Sequence, residues 1–505
     1  MSKLSIDDLA IFCKKKGFVF PSTEIYGGMA GFFDYGPLGV ELKNNIKNTW
    51  WKTFVQNRED VYGLDGSLIS SGKIWEASGH LSSFTDLLTQ CKKCHKNHRA
   101  DQLVEDKLKI NVDGLSGESI NKLLKDNNLK CPECKGDLTE VKSFNLMFPV
   151  QIGADITKDS TAYLRGETAQ MIFVAFRNVV ESSRVKLPFG IAQIGKAFRN
   201  EIAPRNFLFR EREFEQMEIE FFVKPDEKKS PLLSKRQSDL EFLFYSEEAQ
   251  AKESHPKKIK MSELLKEKLL TEWHAYWLAE SYLWFVELGV NENNLRIRQH
   301  TKKELSHYSS ATFDVEYNFP FGWKEIYGNA NRGQFDLTQH MKHSKQSMEL
   351  FDEDTKQKIL PAVIEPSFGV DRAFLTFIYD AYHDDKERGN VVLKLHYKLA
   401  PVKVGIFPLV NKLEEKAKEI YHMLREEFVC LYDRSGSIGR RYARADEIGM
   451  PYCVTIDFET LEDKSVTIRE RDTTKQIRVK LSELKHILEK LLKGEEFGKL
   501  GKLIK

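Results

Sequence analysis

The chain has 505 residues, 41% of them hydrophobic, which is too long for one core, so two or more domains are expected. Its 77 Lys and Arg against 75 Asp and Glu leave a formal net charge of +2, which excludes bulk charge as a guide: any contact with nucleic acid has to come from local patches. No apolar run reaches membrane-spanning length, and residues 1–16 carry Asp7 and Asp8 where a signal peptide needs an unbroken apolar stretch, so the chain reads as soluble and cytoplasmic, with no membrane partner.

Residues 20–83 are rich in glycine and aromatics, and after Pro37 the apolar positions Leu42, Ile46, Trp50 and Phe54 recur at close to i, i+4, the spacing of a helix. Residues 86–142 form a polar insert bracketed by Cys91-x-x-Cys94 and Cys131-x-x-Cys134. Two thiolate pairs suit a tetrahedral Zn²⁺, and four sulfur ligands leave no position for water, so such a site would be structural. The alternative is a pair of metal-free turns, Cys-Pro-Glu-Cys being turn-prone. His95 and His98 read as neighbours of the cysteines. Cys13, Cys430 and Cys453 read as buried small hydrophobes.

Residues 144–221 read as several strands with a helix near 167–178. Residues 224–270, dominated by Lys, Glu and Ser, read as a surface insertion in which Ser262 caps a short helix. An aromatic helix is expected over 271–288, strands over 295–298, 313–319 and 325–337, and a strand-to-helix turn within 362–379. A break near 396–401 separates a domain of residues 1–398 from one of 399–505. In the second, strands at 402–407, 429–432 and 453–457 alternate with helices at 414–428 and 438–447 before a hairpin of 465–469 with 475–479, the pattern of a small α/β domain.

Two segments carry chemistry. An apolar strand ends in Phe198-Arg199-Asn200-Glu201, and a charged loop leads to a second strand, residues 214–223, alternating glutamate with Met217, Ile219 and Phe221. One face then bears guanidinium, carboxylate and an aromatic ring, a mixture that suits ATP. Farther on, Glu365-Pro366-Ser367-Phe368-Gly369-Val370-Asp371-Arg372 sets an arginine just inside a helix after a glycine that admits close approach. Neither of the common glycine-rich phosphate loops occurs.

The first segment resembles motif 2 of class II aminoacyl-tRNA synthetases, Gly369-Val370-Asp371-Arg372 resembles motif 3, and the Pro37 helix resembles motif 1, the dimer element. Tyr35-Gly36-Pro37-Leu38-Gly39, Arg165-Gly166-Glu167-Thr168-Ala169-Gln170 and the stretch from Tyr432 to Tyr442 narrow the resemblance to glycyl-tRNA synthetases of the homodimeric type, from the N-terminus to about residue 479 outside the two inserts. The resemblance implies a mixed α/β fold: an antiparallel catalytic sheet flanked by helices, a small zinc-ribbon-like insert, and a C-terminal α/β domain that binds the anticodon.

It also implies an activity: glycine is activated with ATP and Mg²⁺ and transferred to tRNA(Gly), with diadenosine tetraphosphate as a side product. For ATP it implies Arg199, Asn200, Glu201, Phe209, Arg210, Phe214, Glu325, Ile326, Gly369 and Arg372, with Arg199 on the α-phosphate, Arg372 on the γ-phosphate, Phe214 stacked on adenine and Glu325 on magnesium. For glycine it implies Arg99, Glu167, Phe214, Glu215, Gln216, Met217, Glu218, Glu365, Ser367 and Gly369, with Arg99 facing the carboxylate. Arg434, Arg440, Arg441 and Arg444 would meet phosphates and unpaired bases. Trp50, Trp51 and Phe54 belong to a dimer interface or to the monomer core. Two other readings compete: a non-catalytic nucleic-acid-binding protein of the same fold, which would have lost the two arginines and the acidic pocket, and a class II enzyme of another specificity.

Overall fold

The computed structural model describes residues 4–110, 112, 114–154, 160–306, 309–353 and 355–504. Its centre is a nine-stranded sheet. We label its strands in chain order: β1 (Val61–Gly63), β2 (Phe189–Phe198), β3 (Glu213–Val223), β4 (Glu241–Tyr245), β5 (Lys257–Lys260), β6 (Leu295–Gln299), β7 (Ala311–Phe319), β8 (Gly322–Gly333) and β9 (Ala362–Gly369). They lie in the order β5-β4-β6-β7-β8-β9-β3-β2-β1, antiparallel except for β1 against β2 and β4 against β6.

The period of two along each strand divides the sheet into an apolar face and a polar one. Met217, Ile219 and Phe221 of β3 and Ile364 and Phe368 of β9 enter the main core. Helices α1 (Pro37–Trp51), α3 (Glu272–Glu287) and α5 (Val370–Ala381) contribute to the same core. Phe368 sits among Trp50, Phe54, Trp284 and Tyr327, with ring centroids 5.9, 5.6, 5.6 and 4.5 Å away. Trp50 and Phe54 are therefore monomer core, while Trp51 is half-buried beside Trp50. Helices α2 (Ala169–Ser183) and α4 (Phe335–Ser344) cover one end of the other face, over Phe189, Ile191, Phe222 and Val363. The middle of that face carries the polar residues.

Three expectations are corrected. Residues 224–270 are not a surface insertion: they supply β4 and β5 at the sheet edge and bury Phe242, Phe244, Met261 and Leu264 in the main core. The few apolar side chains alternate inward under a Lys- and Glu-rich exterior, so composition hides the strand. Ser262 does not cap the helix Met261–Lys266; Lys260 holds the cap position, and its N–H donates to the Glu263 carboxylate at 2.9 Å. The strand expected over 325–337 stops at Gly333, whose φ of 56° turns the chain into α4.

From Val404 onward a second core forms on a six-stranded sheet, in the order Cys430–Tyr432, Val404–Pro408, Tyr452–Ile456, Ser465–Glu470, Gln476–Lys480, Lys502–Ile504. The first three strands are parallel and the rest antiparallel, with helices Glu414–Leu424, Ile438–Glu447 and Leu484–Leu491. Cys13 and Cys453 are buried as expected, whereas Cys430 is half-buried.

Candidate active site

The polar face of the central sheet opens into a cavity of about 370 Å³ lined by residues of β3, β7, β8 and β9, the β2–β3 loop and the start of α5. Three distant segments fix its base. The Asp371 carboxylate, in the first turn of α5, accepts from the Lys43 ammonium of α1 at 2.7 Å, from the Tyr35 hydroxyl, and from the Glu215 backbone N–H of β3 at 2.6 Å. Burial raises the Asp371 carboxyl, but Lys43 and the hydrogen bonds outweigh it and leave it below the ordinary range.

At one end stand the two arginines. The Arg199 guanidinium lies between the rings of Phe84 and Phe214, 5.2 Å from each centroid, and donates to the Gly166 carbonyl at 3.2 Å. Arg372 lies over the Phe209 ring at 4.5 Å, donates to the Glu325 carbonyl at 3.1 Å and pairs with the Glu325 carboxylate at 3.2 Å. A Cβ on Gly369 would stand 3.3–3.4 Å from the Arg372 stem, so a side chain there would crowd it. Burial in the cleft raises the Glu325 carboxyl, and Arg372 and His300 more than offset this and hold it below its usual value. Behind the arginines Glu201 accepts from Arg210 at 2.6 Å, and Arg210 reaches Asp86 at 3.3 Å. The Asn200 N–H donates to the Leu146 carbonyl at 2.8 Å, setting the turn after β2.

At the other end five carboxylic residues, Glu167, Glu218, Glu220, Asp336 and Glu365, are buried. Arg332 donates to Asp336 at 2.7 and 2.8 Å and to Glu365 at 2.7 Å. Glu218 accepts from the Thr168 N–H at 3.1 Å, the Thr168 hydroxyl, the Gln216 amide at 2.7 Å and the Ser367 hydroxyl at 2.6 Å. Glu167 accepts from Gln170 at 3.0 Å and lies 3.4 Å from His80. Burial raises the Glu167 carboxyl, and His80 and Arg332 more than reverse that. Glu218 and Glu365 are both shifted upward, chiefly by burial.

Of the residues expected for ATP and glycine, Glu167, Arg199, Glu201, Phe209, Arg210, Phe214, Gln216, Glu218, Glu325, Glu365, Ser367, Gly369 and Arg372 line this one cavity. Two others are placed elsewhere by the pleat. The side chains of Met217 and Ile326 belong to the core on the opposite face, which limits them to backbone contact with the cleft. Glu215 lines the cavity as well, with its carboxylate turned to Lys43 and Lys47, each at 3.2 Å. Arg99 does not line the cavity; it pairs with Asp86 at 3.0 Å and with Asp101. Sequence reasoning missed Arg332, Asp336, Glu220 and Lys43; Arg332 and Asp336 pair four residues apart, and Arg332 also reaches Glu365, Asp336 Gln170 and Lys43 Asp371 across the chain. Asp371 was within a quoted motif without a role.

The four cysteines of the insert come together. Sγ of Cys91 and Cys134 are 3.4 Å apart, Sγ of Cys94 and Cys131 3.7 Å, and all four ligand atoms lie within 4.8 Å of one another. A tetrahedron of sulfurs about 2.3 Å from a zinc ion has edges of about 3.8 Å, so the set fits Zn²⁺. The N–H groups of Lys93 and Cys94 point at the Cys91 sulfur, at 3.4 Å, and favour its thiolate. His98 stands 3.4 Å from the Cys131 sulfur, a neighbour as expected.

In the C-terminal domain, Arg441 is buried and donates to the Pro408 carbonyl, which corrects its expected place on a nucleic-acid surface. Arg434 pairs with Glu414 and Arg444 with Asp433, while Arg440 is exposed. No described helix is long and apolar enough to cross a membrane.

The tRNA synthetase class II core domain (G, H, P, S and T) matches residues 153–379, and the anticodon binding domain matches residues 403–491. The fold agrees with that of a solved prolyl-tRNA synthetase from Cryptosporidium parvum, bound to halofuginone and AMPPNP, at a TM-score of 0.58 and 16% identity over 97% of this chain and 77% of that one. A class II core with its anticodon-binding partner is thus what the fold and the cleft define. Within that class the chain is 47% identical to the glycine–tRNA ligase of Caldanaerobacter subterraneus subsp. tengcongensis, over 97% of this chain and 99% of the relative. It is 46% identical to that of Geobacillus thermodenitrificans, over 96% and 97%. The chain belongs to the glycine–tRNA ligase family. The reading as a non-catalytic binder finds no support, since both arginines and the acidic pocket stand, and neither does another specificity, since the relatives are glycine–tRNA ligases.

Proposed function

We propose that this cleft joins glycine to ATP, giving glycyl-adenylate and pyrophosphate, and then passes the glycine to the 3′ end of tRNA(Gly). One observation supports the reading most: two arginines and a cluster of buried carboxylates meet in a single cavity. The glycine carboxylate is the nucleophile, so the protein needs no Ser, Cys or Lys for that role. Its work is to align reactants and stabilise charge at the α-phosphate.

Arg199 holds the α-phosphate and Arg372 the γ-phosphate, each leaving the ring or carboxylate it now rests on. Phe214 stacks on adenine, and Glu201 meets the adenine amino edge or the terminal adenosine of the tRNA. Glu325 would hold Mg²⁺, which neutralises phosphate charge when bound. At the other end the glycine ammonium lies among Glu167, Glu218 and Ser367, in a space whose wall of mutual hydrogen bonds excludes side chains beyond hydrogen. Arg99, now on Asp86 and Asp101, serves the glycine carboxylate, which entails a movement of the insert when substrates bind. Cys91, Cys94, Cys131 and Cys134 hold a structural zinc that keeps Arg99 and its insert in shape. The protein works as a cytoplasmic homodimer, and the domain at 403–491 takes the anticodon.

The test is amino-acid-dependent ATP–pyrophosphate exchange with glycine, alanine, serine, proline and threonine. Exchange with glycine alone is expected. Exchange with another amino acid would overturn the pocket assignment, and no exchange with any, from folded protein with Mg²⁺, would overturn the catalytic reading.

A further inference from the structure

The acidic end of the cleft holds more carboxyl groups than its cations can match. Glu167 precedes α2, Glu218 and Glu220 lie two apart on β3, Glu365 is on β9 and Asp336 on α4, all less than a tenth exposed. Among the described residues the cationic or imidazole groups acting on them are Arg332, Arg165, which is buried and interacts with Glu218, His80 and His340. Arg332 already makes a paired contact with Asp336 and one bond to Glu365. His80 stands by Glu167, and His340 bonds the Gln170 amide oxygen at 2.9 Å. Five ionised carboxylates against two guanidinium groups would leave several uncompensated negative charges out of water, which is too costly to persist.

The structure also shows where protons reside. Glu220 is fully buried, and neither carboxylate oxygen has a hydrogen-bond partner among the described residues. No hydrogen bond compensates an ionised form, and the pull of Arg332 is outweighed by burial and the acidic neighbours, which leaves Glu220 a neutral acid. Glu218, in contrast, accepts four hydrogen bonds. Glu365 stands between these cases, with Arg332 on one oxygen and Glu218, Glu167 and Asp336 as acidic neighbours.

We propose that glycine enters this pocket by proton exchange: Glu365 holds a proton beforehand and releases it to solvent as the glycine ammonium arrives, while Glu220 keeps its own throughout. The O–H bond of Glu365 breaks, the proton passes to water, and the incoming N–H bonds stay intact, so the charge of the pocket is unchanged. Burial, ahead of its acidic neighbours, pushes the Glu365 carboxyl up to about 8, and Glu220 goes well above the ordinary range for the same cause. Both are then protonated at neutral pH before the ammonium is present. The pocket thereby admits a cation in exchange for a proton and gives a neutral amine no such advantage. The inference rests on the reading of this end as the glycine site.

Calorimetric titration of the full chain with glycine near neutral pH, in phosphate and in Tris, measures the protons released. Close to one per glycine is expected for the wild type and for Glu220→Gln, and almost none for Glu365→Gln. The wild-type KM for glycine should fall about tenfold per pH unit as pH rises toward 8, levelling there because Glu365 is by then ionised without help. In Glu365→Gln it should stay flat. Buffer-independent heats with glycine bound, or proton release that survives Glu365→Gln or vanishes in Glu220→Gln, would overturn the exchange. Failure of the wild type to bind or activate glycine would instead overturn the reading of the site, and the exchange with it.

Discussion

The two ends of the cleft hold their charged side chains on different terms. At the acidic end Glu218, Arg332 and Asp336 are almost fully buried, and each is bonded to several neighbours that are themselves fixed by the sheet. At the other end the Arg372 and Glu325 side chains are 29% and 46% exposed, and Arg199 and Arg372 rest on aromatic rings, a carbonyl and one carboxylate. The first arrangement is complete before a substrate arrives and leaves space only for a small one. The second consists of contacts that phosphate oxygens replace at little cost, since an exposed ion pair is worth under about 1 kcal/mol. Selectivity therefore belongs to the rigid end and charge stabilisation to the adaptable one.

Breaking the rigid end should be the more damaging. Glu218→Gln removes a charge that four donors converge on, and glycine-dependent exchange should fall about a thousandfold in kcat/KM, about 4 kcal/mol, with little change in the KM for ATP. A variant that lost less than about tenfold would mean that the ammonium does not depend on this carboxylate. At the adaptable end Arg372→Ala should lower kcat/KM for ATP about a hundredfold, the usual size for removal of one such donor, while the KM for glycine holds. Steady-state exchange kinetics with each substrate varied in turn separate the two.

A third change joins the ends through packing. A Cβ on Gly195 of β2 would lie 2.0 Å from an Arg165 nitrogen. That guanidinium is buried and donates to the carbonyls of Lys196 and Gly66, both at 2.6 Å. Gly195→Ala should therefore cost about 2 kcal/mol of stability and lower the melting temperature in calorimetry. Because Arg165 opens the segment that carries Glu167, glycine affinity should fall with it more than ATP affinity.

These particulars also show how far the chain could be read in advance. The alternation in 214–223 is a strand signal, and with the Arg199 and Arg372 motifs it placed the cleft on one sheet face. The resemblance took 214–218 as a block, however, and the pleat divides it: Gln216 and Glu218 face the cleft while Met217 faces the core. Arg332, Lys43 and Asp336 were missed because, beyond the local Arg332–Asp336 pair, each acquires its meaning from a partner that only the tertiary fold brings near. The cysteine pairs were legible because spacing alone defines them, and the strands in 241–260 were not, because a Lys-rich exterior outweighs the few inward apolar residues, Phe242, Phe244 and the partly buried Ile259.

Arg99 gives the smallest effect and sharpens the comparison most. It belongs to the insert and is tied by Asp86 to Arg210, which in turn holds Glu201 at the adaptable end. If its service is to the glycine carboxylate, Arg99→Ala should raise the KM for glycine about tenfold, about 1.4 kcal/mol, and leave that for ATP unchanged. The loss stays modest because Arg210 still faces Asp86, and Asp101, the other partner of Arg99, is partly open to water. The opposite split, with ATP affected and glycine not, would make Arg99 a strut between the insert and the ATP loop, and would leave selection of glycine wholly to the buried carboxylates.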